Sequence, residues 1–141
     1  MEEKKVLVID DEEGLRRMYR ELFQERGYEV ITAEDGNKGI ELFGREQPAV
    51  VILDIIMPEK EGVETMIELK KLDPNVKVIA VSGGGQIKAQ EYLNVMRHFG
   101  AEYTFQKPVS TGELLGAVKQ LCRPEEEAEE LRGDSSEGAQ D

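Results

Sequence analysis

The 141-residue chain contains one cysteine, Cys122, and one histidine, His98. A single cysteine excludes an intramolecular disulfide framework and fits a reducing, cytoplasmic compartment. No apolar run approaches the ~18 residues of a membrane-spanning helix. The opening Met1-Glu2-Glu3-Lys4-Lys5 does not read as a signal peptide. Positive charge is also scarce: 18 Lys and Arg stand against 30 Asp and Glu, a formal charge of −12. That balance argues against non-specific nucleic-acid binding, which draws its affinity from neutralising phosphates, and against a polybasic hold on an anionic membrane. No DNA and no membrane are expected among the partners.

What remains is enough for one folded unit. Apolar residues make up 39% of the chain, sufficient with its 14 glycines for an ordinary core. The charge is unevenly placed. Residues 124–141 hold eight acids and one base, a net of −7, which leaves −5 for residues 1–123. The 124–141 stretch has one leucine and no aromatic, too little apolar surface to offset the entropy of ordering it. Residues 1–123 are therefore expected to form the domain, with the fold ending near Cys122 and a solvated acidic coil following, in which Glu125–Arg132 is the stretch able to fray off the last helix as an extension.

Within the body, short apolar runs alternate with helical-period segments. Val6–Ile9, Val50–Leu53 and Val76–Val81 are nearly continuous and rich in β-branched residues, as strands buried on both faces require. Tyr28–Ala33 and Tyr103–Phe105 read as two weaker strands. Leu15, Met18, Tyr19, Leu22 and Phe23 recur at helical spacing, as do Ile40 with Phe43, and Met66, Leu69 and Leu72. Tyr92, Val95, Met96 and Phe99 mark a fourth helix; Leu114, Leu115, Val118 and Leu121 mark a fifth. Gly27 and Pro74 punctuate helix ends, Asp35 is placed as an N-cap, and Ser110 with Glu113 has capping-box spacing. Five βα units in series predict an α/β fold, a doubly wound parallel sheet with helices on both faces. Ligands in such sheets bind outside the carboxyl ends of the strands, where strand order reverses.

Those ends carry Asp10 and Asp11, then Asp54, Ser82 and Lys107. Carboxylates converging on one mouth repel one another unless a cation neutralises them, and a hard divalent ion such as Mg²⁺ suits oxygen donors. With a hydroxyl and an ammonium beside it, the mouth becomes a pocket for a tetrahedral dianion, which points to phosphoryl chemistry. Each piece alone has a plainer reading. Asp10 and Asp11 can cap the following helix, Asp54 can be a turn residue before Met57-Pro58, and Ser82 and Lys107 can be ordinary loop residues. It is their conjunction across four strands that carries the argument.

The pieces Val6-Leu7-Val8-Ile9-Asp10-Asp11-Glu12, Leu53-Asp54-Ile55-Ile56-Met57-Pro58 with Gly62, Val81-Ser82-Gly83 and Lys107-Pro108 resemble, in order and spacing, a response-regulator receiver domain of two-component signalling. The resemblance spans about residues 4–122. It implies a five-stranded, flavodoxin-like sheet of order 2-1-3-4-5. It also implies that Asp54 accepts a phosphoryl group from a sensor histidine kinase or a histidine phosphotransfer protein. By the same resemblance, Asp11, Asp54 and the main-chain carbonyl of Ile56 ligate Mg²⁺, with Asp10 acting through a bound water. Ser82 donates to one phosphoryl oxygen and Lys107 pairs with another. Phosphorylation is then expected to draw Ser82 inward and alter the face formed by the fourth helix, fifth strand and fifth helix, where a downstream protein binds. Such a chain is a signalling module rather than an enzyme, with only its own phosphorylation and dephosphorylation as chemistry.

Two departures from the family stand out. The position three before the lysine, where the family commonly has an aromatic switch residue, is Thr104; Tyr103 and Phe105, on the opposite strand face, either substitute for it or belong to the core, the core being the expectation. The second is Gly83-Gly84-Gly85, which frees the loop after Ser82 and either enlarges the switch or lengthens the turn. Ile56 and Gly84, two residues after Asp54 and Ser82, cannot orient a water by hydrogen bonding, which predicts slow autodephosphorylation. About 19 residues follow Cys122, too few for an output domain, so output is expected through a partner protein. Competing readings are a phosphoryl shuttle to a histidine phosphotransfer protein, a dehalogenase-like phosphatase, and a flavodoxin-like electron carrier. The phosphatase expects an acid where Ile56 stands, and the acidic run Asp10–Glu13 would repel a flavin phosphate. Whether phosphorylation drives homodimer formation is left open by the sequence. His98 and Cys122 read as a surface residue and a packing residue.

Overall fold

The computed structural model describes residues 4–55, 62–83 and 87–122, the side chains of 87–90 and 92 excepted. The expectations placed on Ile56, Met57-Pro58, Gly84-Gly85, the Tyr92 side chain and the 124–141 segment lie outside the described residues. Five strands, β1 (Lys5–Ile9), β2 (Glu29–Ala33), β3 (Val50–Asp54), β4 (Val78–Ser82) and β5 (Tyr103–Gln106), alternate with five helices. The helices are α1 (Glu13–Gln24), α2 (Gly36–Glu46), α3 (Gly62–Leu72), α4 (Ile87–His98) and α5 (Thr111–Leu121). All strand pairings are parallel, in the order β2-β1-β3-β4-β5. This is the doubly wound sheet that the sequence predicts.

The central strands have no polar face because both faces are covered. Leu7, Ile9, Val51, Leu53, Val78 and Ala80 join Leu42 and Phe43 of α2, Met66 and Leu69 of α3, and Leu93 and Met96 of α4 in one cluster. Their alternates Val6, Val8, Val50, Ile52, Ile79 and Val81 join Tyr19 and Phe23 of α1 with Leu114, Ala117 and Val118 of α5 in another. Each fully buried aliphatic side chain is worth about 1.5–3 kcal/mol. An exposed ion pair such as Arg17–Glu13, at 3.9 Å and with both side chains more than two-thirds exposed, adds at most about 1 kcal/mol. The two apolar layers hold the fold.

Several ends behave as the sequence suggests. Asp35 Oδ1 accepts a hydrogen bond from the Lys38 amide at 2.8 Å, capping α2, and Ser110 Oγ accepts from the Glu113 amide at 3.3 Å. Gly27, at φ 89°, closes α1 in a left-handed conformation that suits glycine. The next residue, Tyr28, donates its amide back to the Phe23 carbonyl at 3.1 Å, so β2 begins at Glu29 rather than Tyr28. Val76 is buried but sits in the turn after α3, its amide on the Asp73 carbonyl, so β4 begins at Val78. Met18, Leu72 and Val95 in the helices, and Phe99 in the turn after α4, fit the apolar period yet are exposed. On α4 the core is filled by Met96, as expected, and by Leu93, which the expected positions did not include.

Candidate functional site

Strand register brings the polar residues together. Ile9 lies opposite Leu53, so Asp10 leaves β1 beside Asp54, the last residue of β3. Asp54 lies opposite Val81, and Ser82 is the next residue along β4. Ser82 lies opposite Gln106, and the Lys107 amide donates to the Ser82 carbonyl at 2.8 Å. The chain thus delivers all of these residues to the carboxyl end of the sheet, next to the β1–β3 reversal.

Asp10 and Asp54 are buried, Asp11 is exposed, and one carboxylate oxygen from each lies within 4.8 Å of the others. The Lys107 ammonium enters between them, donating to Asp10 Oδ2 at 3.3 Å and lying 3.6 Å from Asp54 Oδ2. Burial pushes the Asp10 carboxyl above its ordinary range, against the opposing pull of the Glu12 amide and of Lys107. For Lys107 burial works against the charged form, but the charges of Asp54 and Asp10 and the hydrogen bond to Asp10 outweigh it and raise its pKa. Beneath the cluster, burial holds the Tyr19 phenol neutral, reinforced by the charges of Asp10, Asp54 and Glu12. Lys107 offsets only part of the negative charge. Three hard oxygen donors in mutual reach, two of them buried, fit a divalent cation.

Asp10 also carries the plainer role. Its Oδ1 accepts from the Glu12 amide at 2.9 Å while Glu12, the N-cap of α1, makes no side-chain cap of its own. The two carboxylate oxygens of Asp10 are therefore divided, one ordering the entry to α1 and one facing Lys107. Arg16 Nη1 donates to the Asp10 carbonyl at 2.7 Å, a support that nothing in the spacing of the sequence announces. Ser82 is fully buried, and its hydroxyl donates to the Gly83 carbonyl at 3.4 Å. Of the residues expected at the site, Asp10, Asp11, Asp54 and Lys107 thus meet, and Ser82 sits on the adjoining rung. The Ile56 carbonyl falls outside the described residues.

On β5, Tyr103 and Phe105 stack at 6.2 Å between ring centroids and pack half-buried against the α1–α5 layer. They flank the core. Thr104 faces the other way, its Oγ1 accepting from Arg97 Nη2 of α4 at 2.6 Å. At this junction a hydrogen bond occupies the position where the family commonly has an aromatic ring.

Comparison with known proteins gives one consistent result. The response regulator receiver domain family matches residues 6–119. The chain is 38% identical over 121 residues to chemotaxis protein CheY of Thermotoga maritima, covering 85% of this chain and 98% of that one. It is 30% identical over 119 residues to sporulation initiation phosphotransferase F of Bacillus subtilis, covering 84% of this chain and 94% of that one. Among solved structures, response regulator protein TrrA of Thermotoga maritima, in complex with Mg²⁺-BeF, superposes with a TM-score of 0.73 at 32% identity, over 84% of this chain and 98% of that one. The chain spans about half the length of other curated relatives, for example 48% of a probable transcriptional regulator of Cyanophora paradoxa. Motif order, sheet topology, the buried aspartates with their lysine, and these matches agree, and the chain belongs to the response regulator receiver domain family.

Proposed function

We propose that the chain is a phosphorylation-controlled binding module in which Asp54 accepts a phosphoryl group from a histidine kinase. The observation that carries this reading is the placement of the Lys107 ammonium between the buried carboxylates of Asp10 and Asp54. An Asp54 oxygen forms the new bond to phosphorus. The donor's phosphorus–nitrogen bond breaks, its electron pair stays on the imidazole nitrogen, and that nitrogen is then protonated. Lys107 screens the charge of the incoming phosphoryl oxygens and pairs with one of them afterwards, when Asp54 no longer offers the same free carboxylate. Ser82, on the adjoining rung, donates its hydroxyl to a second oxygen by giving up the Gly83 carbonyl. Asp10, Asp11, Asp54 and the Ile56 carbonyl would hold Mg²⁺, which supplies Lewis-acid neutralisation of the phosphoryl charge when bound. That TrrA was solved with Mg²⁺-BeF supports this ion.

Phosphorylation redistributes a pre-existing equilibrium to the extent that the phosphoryl group contacts one state better than the other. Movement of Ser82 is passed to the surface of α4, β5 and α5, where a downstream protein binds. The surplus of acids supports protein rather than DNA as what these residues meet. The reading carries with it a cytoplasmic location, which the single cysteine supports. It also divides the chain into a receiver, residues 1–123, and an acidic segment, 124–141, a division that the family match over 6–119 supports.

The test is incubation with Mg²⁺ and acetyl phosphate followed by intact mass. A gain of one phosphoryl group that disappears in Asp54→Ala is expected; no Mg²⁺-dependent gain would overturn the reading. A second reading, a shuttle handing the group to a histidine phosphotransfer protein, is favoured by the similarity to a relative named a phosphotransferase. Phosphotransfer assays run in both directions separate the two.

A further inference from the structure

At the opposite end of the sheet from the aspartates lies a feature that the phosphoryl chemistry does not use. An open groove of about 390 Å³ is lined by Lys4, Arg26, Tyr28, Leu115, Gly116 and Lys119. Lys4 immediately precedes β1, Arg26 and Tyr28 lie between α1 and β2, Leu115 and Gly116 sit in the middle of α5, and Lys119 is in its last turn. Its rim holds three cations and no acid, in a chain of net charge −12. Arg26 is 3.7 Å from Glu25. Among the described residues neither Lys4 nor Lys119 has an ion-pair partner; Lys4 sits 6.0 Å from the centroid of the Tyr28 ring. The floor is partly apolar, with Tyr28 and Leu115 packed against the α1–α5 layer.

The chain leaves α5 beside this groove. Cys122, the C-cap of α5, packs against the same layer as Tyr28 and Leu115, and Lys77 Nζ donates to the Leu121 carbonyl at 3.3 Å. The sequence that follows is the most acidic in the protein: Glu125, Glu126, Glu127, Glu129 and Glu130 fall within nine residues of Cys122, with Leu131 directly after. Acids just past the carboxyl end of a helix are unfavourable, because the helix dipole already places negative charge there. Cations near that end relieve the repulsion: Lys119 in the last turn of α5, and Lys4 and Lys77 brought in from elsewhere in the fold. The sequence 124–141 has ample reach, since an extended chain covers ~3.3–3.6 Å per residue.

We infer that the acidic segment after α5 docks in cis on the basic groove formed by Lys4, Arg26, Tyr28, Leu115 and Lys119. Its glutamates meet the cationic rim and Leu131 meets the apolar floor. The attraction is between exposed charges, so each contact is weak and salt-sensitive, and it is the tether that makes it effective by raising the local concentration of the segment. The docked segment holds its negative charge at the amino ends of the strands, away from the carboxylate mouth, where it would oppose an anionic donor. This inference does not depend on the phosphoacceptor assignment.

The test uses the full chain with a nitroxide at Ser136→Cys in a Cys122→Ser background. In about 20 mM salt, paramagnetic broadening is expected at the amides of Lys4, Tyr28 and Lys119. A roughly twofold signal loss there should be relieved near 500 mM salt, where the Debye length falls to a few ångströms. The double substitution Lys4→Gln with Lys119→Gln should relieve it at low salt. As a label-free check, changing the five glutamates to glutamine should shift the groove amides and leave those of β3 and β4 in place. Broadening that is absent, insensitive to salt, or centred on the Asp54 end overturns the proposal. So does broadening of an isotope-labelled chain by a spin-labelled second copy, which would make the contact intermolecular.

Discussion

Gly62 opens α3 against the end of β3, and replacing it with alanine tests how tightly the structure holds Asp54. A Cβ built there would overlap the Ile55 Cα and lie 2.8 Å from the carbonyl oxygens of Asp54 and Ile55. These are backbone atoms, so no side-chain rotation relieves the clash. The Gly62 amide also donates to the Ile55 carbonyl at 2.7 Å, tying the helix to the residue after Asp54. Overpacking of this kind costs about 1–3 kcal/mol, whereas the helix-propensity gain from alanine is at most about 1 kcal/mol. A net loss of about 1–2 kcal/mol follows. With a urea slope of about 2 kcal/mol per molar, the unfolding midpoint should fall by roughly 0.5–1 M. The control is Gly44→Ala in α2, where nothing lies within 4 Å of the added carbon and a gain of about 0.5–1 kcal/mol is expected. Because α3 must shift away from β3, Gly62→Ala should also slow labelling of Asp54 by acetyl phosphate about tenfold through misplacement of the nucleophile. If both variants move the midpoint in the same direction, the close approach of α3 to β3 is not what the structure says it is.

Four further outcomes are expected. Lys107→Met leaves two buried carboxylates without their ammonium. About 3–5 kcal/mol is the ceiling for breaking a buried pair, and with the lysine side chain 18% exposed a loss of about 1–3 kcal/mol is expected in chelator, reduced by millimolar Mg²⁺; equal urea midpoints in the two buffers would count against the cation site. In the wild type the raised Lys107 pKa means that its contribution is intact below the ordinary lysine value of 10.5 and is lost as pH rises through the higher folded value. Thr104→Val removes the acceptor from Arg97 and should cost about 0.5–1 kcal/mol, seen as faster amide exchange in α4; unchanged exchange would mean that the bond does not fasten the junction. Burial raises the Cys122 thiol above its ordinary 9.0, so at pH 8 it should react with a disulfide reagent more slowly in the folded chain than in urea, with the thiolate appearing only as pH climbs past that value. Ile56→Asn with Gly84→Glu should shorten the lifetime of the phosphorylated form, and an unaltered lifetime would remove those positions from the account.

The sequence was most readable where one physical demand dominates. Continuous β-branched runs require a strand covered on both faces, and β1 and β3 lie where those runs are. It was less readable where two demands compete for one residue. Tyr28 and Val76 look like strand residues, but the C-cap of α1 and the turn at Asp73 claim their amides. Val95 and Phe99 keep the helical period while exposed, because period alone does not say which of two semi-apolar stripes meets the sheet. At the site, residue identities were legible because charged groups at successive strand ends have few structural explanations in common. The partnership of Lys107 with Asp10, 97 residues apart, and the arginine supports at Asp10 and Thr104 were not. They depend on side-chain reach across the assembled sheet, which no local spacing encodes.

The two-sided core gives the polar strand ends a second consequence. Val50-Val51-Ile52-Leu53 is apolar at every position, so sliding β3 by one residue would exchange one buried face for another with little change in hydrophobic burial. The apolar residues therefore say almost nothing about alignment. Asp54 does: a slip toward the interior would drag its carboxylate into an apolar layer, and a slip outward would take it away from Lys107. The acids and the lysine act as alignment marks for the strands that carry them. Neutralising all of them at once would remove the chemistry and also the information that tells otherwise interchangeable strands where to stop.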